Sequence, residues 1–440
     1  MPRKCLLVLL DGLGDRSFPL LGEKTPLQVA RTPNLDMLAS RGANGLYHAS
    51  LAGQALPSEN AHFSMFGYDM AEFPGRGALE ALGAEIGISP ADVAVLAHFV
   101  SLSEKNRTLV LDHEKPDAGT DDLAALGYHI RSFHMEDIVV SFHPTGGIRG
   151  IVTLSGDVAR FVTDSDPVTP GRPMCAVQPW ADYADNAPTE RTARVLHAYL
   201  AWAYHHLNTH EVNRQRREKG LYPVNGLVTQ RAGQLKQVIP FARKYGLKGL
   251  IMASGMVYWG LGKYIGMDVK KVTDSHDPGT DLAQRMQMAH DYLADYDFVH
   301  VHTKAPDEAG HTKKPMFKKR VIESLDAGIG RVIKPILDDP DVLVVVTADH
   351  TTPSSGPLIH SGETVPLMMV GPGIRQDKVV RFDEVNAANG CLGGVRGREL
   401  MLLILNHLER AKLAGIMDTP VDQPYWPGEY TPLDPTEPVP

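Results

Sequence analysis

The chain has 440 residues, of which 43% are hydrophobic and 22% charged, with a formal net charge of −8 at pH 7. This is an ordinary globular balance, long enough for about three domains by length alone and able to fill a sizeable core. A net-negative chain offers no bulk footprint for nucleic acid, and no segment approaches the roughly 20 apolar residues of a membrane helix. Neither a nucleic-acid nor a membrane partner is therefore expected, and an anionic substrate would need a local positive site such as metal ions. The cysteines Cys5, Cys175 and Cys391 are far apart and form no CxxC pair, which points to a reducing, cytoplasmic setting. Oligomeric state is left open.

In chain order, residues 5–10 form a short apolar run that ends in Asp11-Gly12 without a small-residue cleavage site. It reads as a buried first strand rather than a signal peptide. Thr32-Pro33-Asn34 opens a helix, with proline in its first turn. Leu56-Pro57-Ser58 precedes a helix over 59–66. Between about residues 90 and 240 the texture changes. Loops are expected at 143–147 and 166–171, and an amphipathic helix over 192–204. Further strands are expected at 249–252, 298–301, 343–347 and 366–370. Strands alternating with helices argue for α/β with a mainly parallel sheet. The expected domains are a discontinuous core, 1–90 and 241–440, and an inserted α/β domain, 91–240. The proline-rich, acidic tail 419–440 reads as an extended strap or a disordered end.

The chemistry-bearing residues cluster in the last third. Asp307 and His311 are four apart and share a helix face. Asp349-His350 closes the apolar run 342–346, and ligands gather outside the carboxyl ends of strands in open parallel sheets. His360 follows ten residues after His350, before Ser361-Gly362. Asp11 ends the first strand. Singly, each of these is a turn aspartate or a satisfied histidine; jointly they read as metal ligands. Mixed carboxylates and imidazoles suit Mn²⁺, Zn²⁺ or Co²⁺ better than Ca²⁺, and a metal pair can stabilise both oxygens of a phosphoryl transfer. Ser58 has two readings. One is an ordinary N-cap serine; the other is a nucleophile at a helix N-terminus, activated by metal.

The chain resembles the cofactor-independent phosphoglycerate mutases, archaeal-type branch, of the alkaline phosphatase superfamily. The resemblance rests on Asp11-Gly12-Leu13-Gly14-Asp15-Arg16, Lys24-Thr25-Pro26-Leu27, Pro57-Ser58-Glu59-Asn60-Ala61-His62, Gly75-Arg76-Gly77 and Lys304-Ala305-Pro306-Asp307-Glu308-Ala309-Gly310-His311. It continues through Asp349-His350-Thr351-Thr352-Pro353, His360-Ser361-Gly362 and Gly394-Val395-Arg396-Gly397. It implies an alkaline-phosphatase-like, mainly parallel sheet flanked by helices, with an inserted lid domain. It also implies two divalent metal ions, Mn²⁺ first, with Zn²⁺, Co²⁺ or Mg²⁺ open. One would be held by Asp307, His311 and His360, the other by Asp11, Ser58, Asp349 and His350. Ser58 would carry a phosphoserine while 3-phosphoglycerate and 2-phosphoglycerate interconvert.

The chain departs from the family in the lid. Family arginines are missing from Val95-Leu96-Ala97-His98-Phe99-Val100 and from Leu111-Asp112-His113-Glu114-Lys115-Pro116, and Trp259 replaces a lysine before Gly260. Arg149, Arg214 and Arg231 remain as substrate contacts, with Arg231 the best match. The departure keeps open a phosphotransferase or phosphatase acting on another small phosphorylated metabolite. A non-catalytic binding protein would require a broken metal set, yet all seven ligand positions carry a suitable residue.

Overall fold

The computed structural model describes residues 2–436, so residues 437–440 of the expected tail lie outside it. The chain divides into two compact units. The first comprises Met1–Phe73, Val238–Gly255 and Gly262–Pro440; the second comprises Pro74–Gln237 and Met256–Leu261. The boundaries expected at 90/91 and 240/241 therefore fall at 73/74 and 237/238. The reason is a close backbone contact invisible in the sequence pattern. The helix Arg76–Gly83 meets the start of the helix Met256–Tyr264 through glycines. A Cβ on Gly83 would lie 2.0 Å from the Met256 carbonyl oxygen, and one on Gly260 1.7 Å from that of Leu79. This contact draws Met256–Leu261 along with the helix Arg76–Gly83, which itself packs on the second unit's strands: a Cβ on Gly77 would lie 2.1 Å from the Ala94 carbonyl oxygen.

The first unit is built on an eight-stranded sheet. Its strands are β1 (Lys4–Leu10), β2 (Ala43–His48), β3 (Gly249–Ala253), β4 (Asp268–Lys271), β5 (Phe298–Thr303), β6 (Val342–Thr347), β7 (Val365–Val370) and β8 (Gly393–Arg396). Their spatial order is β4-β3-β5-β1-β6-β7-β2-β8. All run parallel except β7, which pairs antiparallel with β6 and β2. Every residue of β5, β6 and β7 is buried, as in a sheet covered on both faces. Each fully buried Leu or Val here contributes about 2 kcal/mol before chain entropy is counted. Leu10 pairs with Thr303 and Leu9 with Thr347, so the carboxyl ends of β1, β5 and β6 finish level.

Three helices frame those ends: α1 (Ser58–Met65), α2 (Ala305–His311) and α3 (Pro315–Asp338). The buried stripe of α3 includes Ile322, Leu325, Ile329, Ile333 and Ile336, at helical spacing. The same helix carries two buried polar clips. Asp326 Oδ1 accepts from the backbone of Asn34 and Leu35 at 3.0 and 2.8 Å, capping the helix Pro33–Ser40 from outside. Lys318, fully buried, donates from Nζ to the carbonyls of Gly14 (2.7 Å) and Thr352 (2.8 Å). Its ammonium also lies 3.3 Å from Asp15 Oδ2. It thereby ties the loop after β1 to the loop after β6.

The second unit holds an antiparallel sheet around the long strand Val93–Lys105. That strand is paired by Arg149–Ser155, Gly226–Gln234 and, at its far end, Thr108–His113. The helix Ala187–Thr209, capped by Asn186, covers one face and exceeds the expected 192–204 at both ends. The expected loop at 143–147 is instead the end of the strand Ile138–Gly146 and its turn into Arg149–Ser155. In the tail, Ala411 bridges Tyr425, and Lys412 is clamped by Asp418 and Asp422 at 2.8 and 3.0 Å. No described helix is long and apolar enough to cross a membrane.

Glu384 joins the Asp15 cluster, accepting from Thr25 Oγ1 (2.8 Å) and the Asp15 amide (3.2 Å). Burial pushes its carboxyl up to about 7. A raised folded-state pKa means that its contribution is present below about pH 4.5 and lost as pH rises through about 7. Glu384→Gln, neutral at every pH, should therefore melt near wild type at pH 5 and gain on it at pH 8. Calorimetric melting of both proteins at the two pH values checks this; a constant difference would assign the group no such penalty.

Candidate active site and metal centre

The level strand ends bring the expected residues of the first unit together. Asp11 leaves β1 and Asp349-His350 leaves β6. Asp307 and His311 sit one turn apart on α2, and His360 enters from the loop before β7. Asp11 and Asp349 lie side by side because β1 and β6 are paired neighbours, and the turn after Asp11 is tight. Gly12 has φ 66°, and a Cβ there would meet Thr352 Oγ1 at 2.5 Å and Asp307 Cβ at 2.7 Å. Only glycine fits that position without strain. The Gly12 amide donates to Asp349 Oδ1 at 3.0 Å.

Two groups of donor atoms fall within 4.8 Å of one another: Asp11, Asp349 and His350, and Asp307, His350 and His360. His350 is shared. Its Nε2 lies 3.2 Å from Asp349 Oδ2 and 3.5 Å from Asp11 Oδ1, and its ring stacks on His360 at 3.8 Å. Asp307 Oδ1 receives Nε2 of His311 at 3.1 Å and of His360 at 3.3 Å. Thr352 donates to the same oxygen at 2.7 Å. His360 Nδ1 donates to the Leu56 carbonyl at 2.8 Å, which fixes the tautomer and turns Nε2 toward Asp307.

Ser58 is the first residue of α1, and the cap position is Pro57, so its hydroxyl is not spent on an N-cap bond. Its Oγ instead lies 3.0 Å from His350 Nε2. The capping reading of Ser58 is excluded by this geometry.

The metalloenzyme superfamily model matches residues 3–407. The 2,3-bisphosphoglycerate-independent phosphoglycerate mutase 2 of Methanocaldococcus jannaschii is 40% identical, over 94% of this chain and 95% of its own length. The mutase of Methanopyrus kandleri is 36% identical over 94% and 99%. Among solved structures, a Pyrococcus horikoshii protein has TM-score 0.77 and 29% identity, covering 94% of this chain and 100% of its own. The cofactor-independent phosphoglycerate mutase of Thermoplasma acidophilum has TM-score 0.65 and 30% identity, covering 92% and 100%. The chain belongs to the cofactor-independent phosphoglycerate mutase family. The family is metal-dependent, and the donors here fit a divalent cation: carboxylates and imidazoles within coordination reach, buried at strand ends.

The electrostatics agree with that fit. Burial alone would raise the Asp11 carboxyl, but Lys304, His302 and His350 hold it well below the usual carboxylate range. Asp307 is likewise held far down, against its burial, by His311, His360 and Lys304. Burial lowers His350, keeping it neutral near pH 7. His360 moves the other way: burial opposes its charge, yet the bond to Asp307 raises it.

Several neighbours of these carboxylates were not singled out by sequence. His302, at the end of β5, places Nε2 2.9 Å from Asp11 Oδ2. His62 places Nδ1 2.8 Å from the Ser58 carbonyl and 3.4 Å from Asp349 Oδ2. Lys304 lies 3.3 Å from Asp307 Oδ2. The signal for His62 was its spacing of four residues from Ser58 in an expected helix. For His302 it was a polar residue ending an apolar strand just before the Lys304–His311 motif.

In the second unit, Arg149 and Arg231 line one cavity of about 300 Å³, with His98, Glu114, Lys115 and Asp166. Arg231 has φ 52°, opposite a register shift at Ala94/Leu96, and its amide donates to Asp164 Oδ1 at 2.7 Å. A non-glycine residue held in that region costs on the order of 1 kcal/mol, so the surrounding fold holds the backbone there. Arg214 does not join them. It sits exposed on the helix Glu211–Glu218, paired with Glu211 at 2.5 Å.

Because Asp307 favours the protonated ring of His360, metal uptake near neutral pH should release protons. Calorimetric heats of Mn²⁺ binding should therefore vary with buffer ionisation enthalpy; heats independent of buffer would contradict a protonated ligand.

Proposed function

We propose that this chain is a metal-dependent phosphoglycerate mutase that interconverts 3-phosphoglycerate and 2-phosphoglycerate through phosphorylated Ser58. The observation that carries the reading is Ser58 Oγ itself, free of a capping bond at the start of α1 and 3.0 Å from Nε2 of His350, the residue shared by both donor groups. Two divalent ions are part of the reading, Mn²⁺ first, with Zn²⁺, Co²⁺ or Mg²⁺ as chemically suitable replacements. Asp307, His311 and His360 would hold one; Asp11, Ser58, Asp349 and His350 would hold the other. Bound there, the ions supply positive charge to the transferring phosphoryl oxygens and lower the pKa of a coordinated hydroxyl.

The residues of the chain do the rest. Neutral His350 turns Nε2 toward Ser58 Oγ, 3.0 Å away, so the ring and the hydroxyl would hold the same ion, and that ion would make the hydroxyl proton easier to lose. The amino end of α1 favours a phosphate on Ser58. Arg149 and Arg231, which line one cavity, bind the anionic groups of the glycerate. The second unit serves as the lid, retaining the glycerate and keeping water from the phosphoserine. The setting is cytoplasmic, the partner a small phosphorylated metabolite.

One observation favours a second reading, a phosphotransferase or phosphatase acting on another small phosphorylated metabolite. The cavity that holds Arg149 and Arg231 also presents Glu80, Glu114 and Asp166, with Arg76, His98 and Lys115 as its other cationic or titratable groups. That is a mixed lining rather than a purely basic one.

Metal-stripped protein reloaded with Mn²⁺ and given 3-phosphoglycerate separates the two readings. 2-Phosphoglycerate should form with little free phosphate. Free phosphate alone, or no product, would favour the second reading. Ser58→Ala should cost at least about 10³-fold in kcat; retained turnover would remove Ser58 from the mechanism. Arg231→Ala should raise KM about tenfold or more with a smaller change in kcat, and an unchanged KM would take Arg231 out of the substrate grip.

A further inference from the structure

The two carboxylates that share His350 are each backed by a buried histidine. His302 Nε2 lies 2.9 Å from Asp11 Oδ2, with both side chains fully buried. His62 Nδ1 lies 3.4 Å from Asp349 Oδ2 and 2.8 Å from the Ser58 carbonyl. A carbonyl oxygen only accepts, so His62 Nδ1 carries the hydrogen. His302 Nε2 faces a carboxylate and donates by the same logic.

The consequence is directional. With Oδ2 of Asp11 engaged by His302, Oδ1 is the oxygen turned to His350, 3.5 Å away. Asp349 Oδ1 accepts from the Gly12 and His350 amides, both at 3.0 Å, and its Oδ2 lies between His62 and His350. Terminal carboxylate torsions are broad in isolation; here each is restrained by a ring that is itself packed. His62 meets His302 edge-on at 5.2 Å and His300 at 5.5 Å, and His300 stacks along His302 at 6.1 Å. His62 also holds the first turn of α1, the turn that presents Ser58.

We infer that His62 and His302 are positioning residues. They orient Asp349 and Asp11 toward the shared His350 so that the donor set is formed before a cation arrives. The inference rests on the metal reading of Asp11, Asp349 and His350. Orienting partners of this kind are worth about 10- to 100-fold in metal affinity.

The two rings use different nitrogens, and the test exploits this. A glutamine amide reaches the Nε2 position and an asparagine amide the Nδ1 position. His302→Gln and His62→Asn should therefore bind Mn²⁺ close to wild type by calorimetry. His302→Asn and His62→Gln, equally polar and of similar size, should bind about 10- to 100-fold more weakly. On Mn²⁺-saturated protein the weak pair should show lower kcat with little change in KM. His300→Leu controls for packing in the same cluster, and should lower the melting temperature without changing Mn²⁺ affinity. If all four polar variants bind alike, or if affinity simply follows melting temperature, the histidines only fill space and the inference falls alone. If wild type itself takes up no Mn²⁺, the metal reading falls and takes the inference with it.

Discussion

The pairing of β1 between β5 and β6 is the constraint on which the rest of the first unit depends. Asp11, the Thr303-Lys304 step into α2, and Asp349 come from three distant parts of the chain. They meet because Leu10 is level with Thr303 and Leu9 with Thr347. In a sheet buried on both faces, a slip of one residue would exchange every inward side chain for its neighbour. The cost of unpacking strands as apolar as 5–10 and 342–347 therefore fixes the register. The carboxylates are brought together by that apolar pairing, against their own repulsion.

Holding like charges at close quarters requires compensation, and the structure distributes it. Asp307 is met by His311, His360, Lys304 and the Thr352 hydroxyl. Asp11 is met by His302 and Asp349 by two amides. Lys318 then clips the carbonyls of Gly14 and Thr352, fixing the loops that carry these groups. A buried ammonium is costly alone but well served by two carbonyls and Asp15. The buried polar network therefore acts on position, while the apolar sheet supplies the stability.

The second unit follows a different logic. Its sheet is antiparallel, its core is its own, and its cavity mixes cations with carboxylates. Asp166 accepts from Gln230 at 2.5 Å and faces His98 at 3.8 Å, so part of the lining is already satisfied internally. Arg231 stands there in a left-handed backbone conformation. On the proposed function, selectivity among phosphorylated metabolites belongs to such a lining and phosphoryl chemistry to the strand ends of the first unit.

The sequence by itself determined the fold class and the family, and it singled out seven residues that the structure places near one another. Each of those signals is local: an apolar run closed by aspartate, a four-residue helical spacing, a proline before serine. Their chemistry can be read because strand and helix periods are fixed by the backbone. Only the tertiary structure decided that Ser58 is not a cap and that His350 lies in both donor groups. The same holds for His62 and His302 standing behind the carboxylates, and for Arg214 lying away from Arg149 and Arg231. It also moved the boundary to 73/74, through the packing of Gly77 against Ala94 and of Gly233 against Ala78. These outcomes rest on packing between segments some hundreds of residues apart, and no local pattern encodes which of many satisfactory neighbours a buried ring or a bare glycine will meet.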